Sequence, residues 1–546
     1  MAREIVRKFA DQILVYSDWE GFREAALPGD LPAGLLRWVS RYIGAMGVID
    51  GVWWIPLAVL ALANGFLLSL FFRRAWAKAA MFVLAAAHAL YPVLGIGAGV
   101  WLVEESAAYI MDPLGLCAGL LLFISLRRLA KCAFWGAPAA CAVCAALWIP
   151  LGMYALAAGA CLAVAGVLRG RGDVRARFVV WPVCAIPLVL APPLTAKHVY
   201  GDIPCDKALD ASCAFRLRWN SPTDLRSQLA MERAVVEGDF GRVLEIADEE
   251  QKAGKPSLRM GVAYRILAQY RLMLLPDDLF KYPMPTSHVG TDAEESMMDG
   301  YVLLFNYGLL LPARREIYEI ASIRGWQPVH FRLLGDIAAV CGELQLARRY
   351  YSQYARCPFR GDFAARRLKA LKDSDGAAFS DIAPIADMHE TWKRFFAAQP
   401  VMYFNTTPNF EEFVYTHFRA LKAAPDMMVR MCFSAALLAG DETIYATNLN
   451  LLDAMGVSPA KGGNPLRGNP WSVPAQEAVL MYLNRLGIEE KQQFIAKIRP
   501  GAIEQDTVSR FNDFMSKPQQ ATLSNPHATS YFFYRSIILP PVEDGK

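Results

Sequence analysis

Trp53–Phe72 reads WWIPLAVLALANGFLLSLFF and is followed at once by Arg73-Arg74. A helix that crosses a bilayer needs about 20 mostly apolar residues, and this run has the length and carries no charge. Four further apolar runs follow: Ala79–Trp101, Ala107–Leu126, Ala133–Leu168 and Phe178–Thr195. Ala133–Leu168 is too long for one span. Pro150 and Gly152 divide it, because proline cannot continue the hydrogen-bond ladder and glycine relaxes the turn. Asp112-Pro113 is expected to break the start of the third span. The count is then six spans.

Charge patterning orients the block. Gly51–Ala196 holds ten Lys/Arg and four Asp/Glu, and nearly all lie between the runs. Arg73, Arg74 and Lys78 follow the first span, Arg127, Arg128 and Lys131 the third, and Arg169, Arg171, Arg175 and Arg177 the fifth. The intervening loops have no basic residue. Basic loops stay in the cytoplasm, so both ends of the block are expected to face outward. Trp53, Trp54 and Trp101 then fall at the outer interface, where aromatic belts sit.

The 546-residue chain is 54% hydrophobic and 20% charged, with a net charge of +4. That composition excludes a disordered chain, a collagen-like fibre and a small disulfide scaffold. The region from Lys197 to Lys546 has forty basic and forty-one acidic residues without a basic cluster, which argues against nucleic-acid binding. The first fifty residues carry six basic and seven acidic residues and no apolar span. Met1–Tyr16 and Ala33–Met46 are amphipathic. Two readings of this tail stay open: a span upstream of residue 1, or a helix lying in the interface.

Beyond residue 197 the pattern is helices joined by short Gly/Pro turns, with strand signals nearly absent. Gly238-Asp239 ends one helix, and Phe240 begins the next. Tyr301–Leu311 reads as one core helix, too short to cross a bilayer. Phe331, Leu334, Gly335, Gly342, Ala347, Tyr351 and Pro358 resemble a tetratricopeptide repeat; Ala338 and Tyr354 depart from its usual residue sizes, and the proline comes one place early. Thirty-four residues upstream, Gly308 and Ala313 stand in register with Gly342 and Ala347, the period of stacked helix pairs. Glu237–Phe240 looks like a weaker third unit. The expected architecture is all-α: a tail at 1–50, six transmembrane helices at 51–196, a linker at 197–220, and an extracytoplasmic helical-repeat domain at 221–546.

The segment Tyr16-Ser17-Asp18-Trp19-Glu20-Gly21-Phe22-Arg23, with Pro28-Gly29, Leu31–Tyr42 and the Gly342–Tyr351 helix, resembles a family of bacterial multi-pass inner-membrane proteins of the same layout. That family has no assigned activity. The resemblance implies the layout and the inner membrane, with the C-terminal region outside the cytoplasm, and no chemistry.

The chain has no H-E-x-x-H, G-x-S-x-G or phosphate-loop motif. Asp387-x-His389-Glu390 is better explained as a surface helix face than as a metal site. Cys117, Cys132, Cys141, Cys144, Cys161 and Cys184 lie in or beside spans and read as small packing residues; Cys341, Cys357 and Cys432 read as free thiols. Cys205 and Cys213 flank a short loop outside the last span and form a disulfide candidate. Asp18, Glu20, Glu104 and Glu105 would all lie on the outer face, and Asp112 enters a span, where carboxylates are costly and often functional.

The first reading of function is a lipid-bilayer anchor for helix pairs that bind a protein or peptide, with no cofactor. The alternative rests on likeness of layout to membrane glycosyltransferases that use lipid-linked sugars. In that class acidic residues of the first two outer loops hold a divalent metal or activate the acceptor. The likeness assigns Asp18 as base or ligand, Glu20 beside it, and Glu104 or Glu105 as second ligand. A transporter ranks third, because the spans have almost no buried charge.

Overall fold

In the computed structural model the described residues are 8, 13–16, 18, 23, 33–49, 52, 54–97, 100–102, 108–132, 135–169, 174–200, 204, 209, 217–219, 226–254, 258–284, 300–373, 379–397, 426–455, 471–516 and 525–539. Their regular structure is helical apart from one short antiparallel pairing, Val100–Leu102 with Leu217–Trp219, whose register pairs Trp101 with Arg218. These strands are only three residues each, which is why no alternating pattern announces them. The chain forms two compact units, Met1–Asp224 with Ile317–Ser380, and Leu225–Glu316 with Asp381–Lys546.

In the first unit the apolar runs become the helices Ile55–Ser69, Ala75–Gly97, Ala108–Leu126, Gly136–Ala146, Met153–Arg169 and Val174–His198. Among the described residues two stretches are long and apolar enough to cross a membrane, Tyr109–Leu126 and Val180–His198. Ile55–Ser69, Ala75–Tyr91, Gly136–Ala146 and Met153–Ala165 are apolar over shorter lengths.

Asp112-Pro113 does not break its helix, contrary to expectation: Pro113 lies inside Ala108–Leu126. Pro113 is the sixth residue of this helix, so its missing N–H frees only the Tyr109 carbonyl near the helix start; separately, Asn64 Nδ2 donates to Pro113 O at 2.8 Å. Pro150 and Gly152 do divide the long run. A short helix, Trp148–Leu151, ends at Gly152 with φ 62° and ψ −147°, a conformation open essentially to glycine alone.

Small residues set the helix spacing. Ala137, Cys141, Ala163 and Cys184 form one buried cluster, and Ala140, Cys144, Ala158 and Leu162 another. Cys141, Cys144 and Cys184 are thus packing residues, as expected, and remain free thiols.

The tail enters the same unit. Gly34–Gly44 is a helix, close to the expected Ala33–Met46. Ala33 N–H donates to Ile149 O at 2.9 Å, and Ala33 and Leu36 pack on Met111. Farther out, Leu14 packs beside Phe331, Tyr354 and Ala364, which belong to the helices Pro328–Val340, Leu344–Arg356 and Gly361–Asp373.

Four helix pairs turn through the same corner, at Gly238, Gly308, Gly342 and Gly440, each with φ of 70–78°. At each, the glycine N–H donates to the carbonyl three residues back, and the next N–H to the carbonyl five back, at 2.8–3.1 Å. This is the Schellman helix ending, which needs a left-handed residue at the corner. The fifth residue after each corner is wholly buried: Val243, Ala313, Ala347 and Tyr445, all at 0% exposure. At the Gly342 corner, Gly335 lies so close to the Tyr351 ring that a Cβ would stand 2.5 Å from it. The Gly308 corner also corrects the expectation of one helix over 301–311: Gly300–Asn306 ends there and Leu310–Arg324 begins.

Candidate functional site

Three clusters of polar side chains stand out from this apolar frame. Two lie in the first unit.

Asp18 is the one outer-face candidate among the described residues. Arg356 Nε donates to its Oδ2 at 2.6 Å and Nη2 to its Oδ1 at 3.3 Å, so one guanidinium meets both carboxylate oxygens. The same guanidinium lies 4.2 Å over the Tyr16 ring. This fork geometry makes Asp18 a clamp on the Leu344–Arg356 helix. Glu20, Glu104 and Glu105 lie outside the described residues, as do Cys205 and Cys213.

The second cluster surrounds Asp112. Tyr154 OH donates to Asp112 Oδ1 at 2.5 Å, and His88 Nε2 stands 3.1 Å from Oδ2. With Asn64 on Pro113 O, the cluster draws on the helices Ile55–Ser69, Ala75–Gly97, Ala108–Leu126 and Met153–Arg169. Asn64 is wholly buried, while the His88 side chain is 36% exposed. Asp112 was legible as a span carboxylate. Its partner was missed, although His88 is the only histidine in the apolar runs.

The third cluster lies in the second unit and seats the aromatic ending. Glu442, 1% exposed, accepts from Tyr531 OH at 2.8 Å and from Arg535 Nε at 3.0 Å, and Arg485 Nη1 lies 2.9 Å from its Oε2. Glu477, equally buried, accepts from the Tyr531 backbone N–H at 2.7 Å and faces Arg510 at 3.2 Å. Burial pushes the Glu477 carboxyl up to about 7, against the opposing pull of Tyr531 N–H and Arg510. Tyr534 OH donates to Leu438 O at 2.8 Å, and Phe280 packs on the Tyr531 and Tyr534 rings. Tyr531–Tyr534 thus dock on the helices of their own chain. The missed residues are Glu442 and Glu477, whose partners lie 33–93 residues away along the chain.

Arg265 is a further buried cation in this unit, 1% exposed, with its guanidinium 4.9 Å over the Tyr282 ring and Nη2 donating to Met284 Sδ. Burial pushes it down to about 10. His389 is occupied on the Gly308 corner, its Nδ1 lying 3.2 Å from Gly308 O. Among the described residues no group of three or more His, Cys, Asp or Glu is placed to hold a metal ion. No family model, curated protein or solved structure matches the chain.

Proposed function

We propose that this chain is a multi-pass protein of the bacterial inner membrane that presents helix pairs outside the cytoplasm to bind a peptide or protein. Six spans fit the alternation of basic and non-basic loops. The apolar helices also leave large side chains open, among them Leu62 at 63%, Val83 at 68% and Val189 at 68%. Exposed apolar surface on that scale is stable in lipid and a liability in water. The four like corners, each with a buried fifth residue, support a helical-repeat reading of the C-terminal region.

One observation carries the binding reading: these helices hold a segment of their own chain in a polar seat. The Tyr531–Arg535 segment is gripped through a backbone N–H, a phenol and a guanidinium, all on two buried carboxylates. A synthetic peptide covering residues 525–539, added to a full-length chain carrying Tyr531→Ala and Arg535→Ala, tests it by fluorescence anisotropy. Saturable binding to that variant, absent with Glu442→Gln added, is the expected result. No binding to a variant that keeps its helical circular dichroism overturns the reading.

The transferase of the lipid-linked-sugar type is the second reading. Asp112, which accepts from Tyr154 OH and lies 3.1 Å from His88 Nε2 in the apolar block, favours it, whereas the grip of Arg356 on Asp18 favours the binding protein.

A further inference from the structure

The segment from Ile13 to Asp18 lies between two partners. Ile13 and Val15 are buried against Ala45 and Trp38, at the Gly34–Gly44 helix. Leu14 turns the other way, onto the cluster of Phe331, Tyr354 and Ala364, which Tyr350 and Phe363 also join. Tyr16 and Asp18 follow Leu14, and both meet the Arg356 guanidinium. Odd-numbered residues thus face one side and even-numbered residues the other, the period of an extended chain. The three helices from Pro328 to Asp373 take Leu14, Tyr16 and Asp18 as alternate side chains, which is how an extended peptide is read.

The two sides hold with different strength. Ile13 and Val15 are only 4% and 5% exposed. Leu14 is half-buried, and the Asp18 and Arg356 side chains are 42% and 27% exposed. An ion pair open to water adds little and is screened by salt. The contact with the helices from Pro328 to Asp373 is therefore the one that opens first, with the segment staying on the Gly34–Gly44 helix. The surface it uncovers has a definite chemistry. Its rings are Phe331, Tyr350, Tyr354 and Phe363, and three guanidiniums accompany them. Arg356 holds Asp18, Arg332 lies 4.8 Å over the Phe363 ring, and Arg360 lies 5.9 Å over the Tyr354 ring. Arg332 Nε is buried with no hydrogen-bond partner among the described residues. Aromatic rings with arginines complement a peptide that carries apolar, aromatic and acidic side chains.

We propose that the helices from Pro328 to Asp373 form a second peptide site, which Leu14, Tyr16 and Asp18 occupy in cis. An extended segment of another protein, with an apolar, an aromatic and an acidic residue at alternate positions, takes their place in exchange. The proposal rests on the peptide-binding reading of the helix pairs, but it uses no residue of the Tyr531–Arg535 seat, so the two fail separately.

A fluorescein-labelled peptide of residues 11–20 is titrated by anisotropy into the full-length natural chain and into full-length Leu14→Ser/Asp18→Ala. Saturable binding to both is expected, at least tenfold tighter to the double variant, because only the fraction of the natural chain with its own segment released is competent. Adding Arg356→Glu abolishes the binding, and a peptide carrying Asp18→Arg restores it. Asp18→Ala alone removes only an exposed ion pair, so it tightens binding about threefold and covers the case in which the double variant does not fold. No binding to variants that keep their helical circular dichroism overturns the proposal, as does equal affinity for the natural chain and the double variant. Binding to the variant with none to the natural chain makes the segment a permanent part of the fold and overturns exchange. A natural chain that is dimeric by light scattering and monomeric as Asp18→Ala gives the seat to a second copy and overturns the separate partner. If the peptide of residues 525–539 binds its own variant while that of residues 11–20 binds nothing, this site alone falls.

Discussion

The apolar helices and the Leu225–Glu316/Asp381–Lys546 unit bury their interiors with different residues. The apolar helices use alanine, cysteine and glycine, as at Ala140, Cys144 and Ala158, or at Gly65 against the Phe82 ring. The second unit uses tyrosine: Tyr264, Tyr270, Tyr282, Tyr301, Tyr307, Tyr445 and Tyr531 are all almost wholly buried. On the proposed membrane reading the apolar helices have lipid as their solvent, where burying a large side chain gains little and close backbone approach supplies the packing. In water, a large ring with a polar tip gains from burial and can still satisfy a buried carboxylate or carbonyl. The polar groups follow the same division. The apolar block holds one carboxylate cluster, at Asp112, while the second unit holds Glu442, Glu477 and Arg265 in its interior.

Substitutions that carry one region's solution into the other sharpen this contrast. The largest effect is expected at Glu442→Ala, which strips the near-buried Arg535 and Tyr531 of their carboxylate. Loss of one partner of a buried pair costs about 3–5 kcal/mol, and thermal unfolding should show it as a drop in Tm with release of the aromatic ending. Gly65→Ala is next. Its Cβ would stand 2.5 Å from the Phe82 ring, and overpacking of this kind costs about 1–3 kcal/mol. Gly342→Ala has open space around its Cβ, so only the left-handed backbone opposes it, at about 1–2 kcal/mol. Gly308→Ala should cost more than Gly342→Ala, because its Cβ also meets Met388 and the His389 backbone. Equal Tm shifts for the two would remove the distinction.

Two smaller effects concern titration and reactivity. The Glu477 carboxyl titrates at about 7 when folded and at about 4.3 when unfolded. The folded chain therefore holds more protons between these values, and its stability falls as pH rises through that window. Glu477→Gln keeps an acceptor for Tyr531 N–H and should flatten the dependence, measured as Tm from pH 5 to 8. Burial also pushes the Cys357 and Cys432 thiols up to about 12. Both should resist alkylation at pH 8 in the native protein, while half-buried Cys341 reacts before either of them, as mass spectrometry of the labelled peptides would show.

Much of the local structure was legible because its causes are local. Runs of apolar residues ended by arginine clusters marked the helices from Ile55 to His198, and the Gly–x corner marked the turns at Gly238 and Gly342. Pro113 misled because it falls near the start of Ala108–Leu126, where a missing N–H costs one bond and does not end the helix. Gly308 stood in register with Gly342, yet the corner itself was passed over because the leucines at 303–304 and 309–311 read as one apolar run. The sites were legible only as single residues. Asp18 was singled out as an acid, but its partner Arg356 lies 338 residues on. Glu442 and Glu477 carry no motif, and their role arises when residues 531–535 fold back on them.

The central claim is a membrane block with both ends outward, followed by helices outside the cytoplasm. Paired fusions at Lys546 of the full chain test it most directly, one to alkaline phosphatase and one to green fluorescent protein, expressed in a Gram-negative host. The phosphatase matures only outside the cytoplasm, and the fluorescent protein exported by the general secretory route stays dark. The account predicts an active phosphatase and a dark fluorescent fusion. An inactive phosphatase with a bright fluorescent fusion at equal expression would contradict it and place the helix pairs in the cytoplasm.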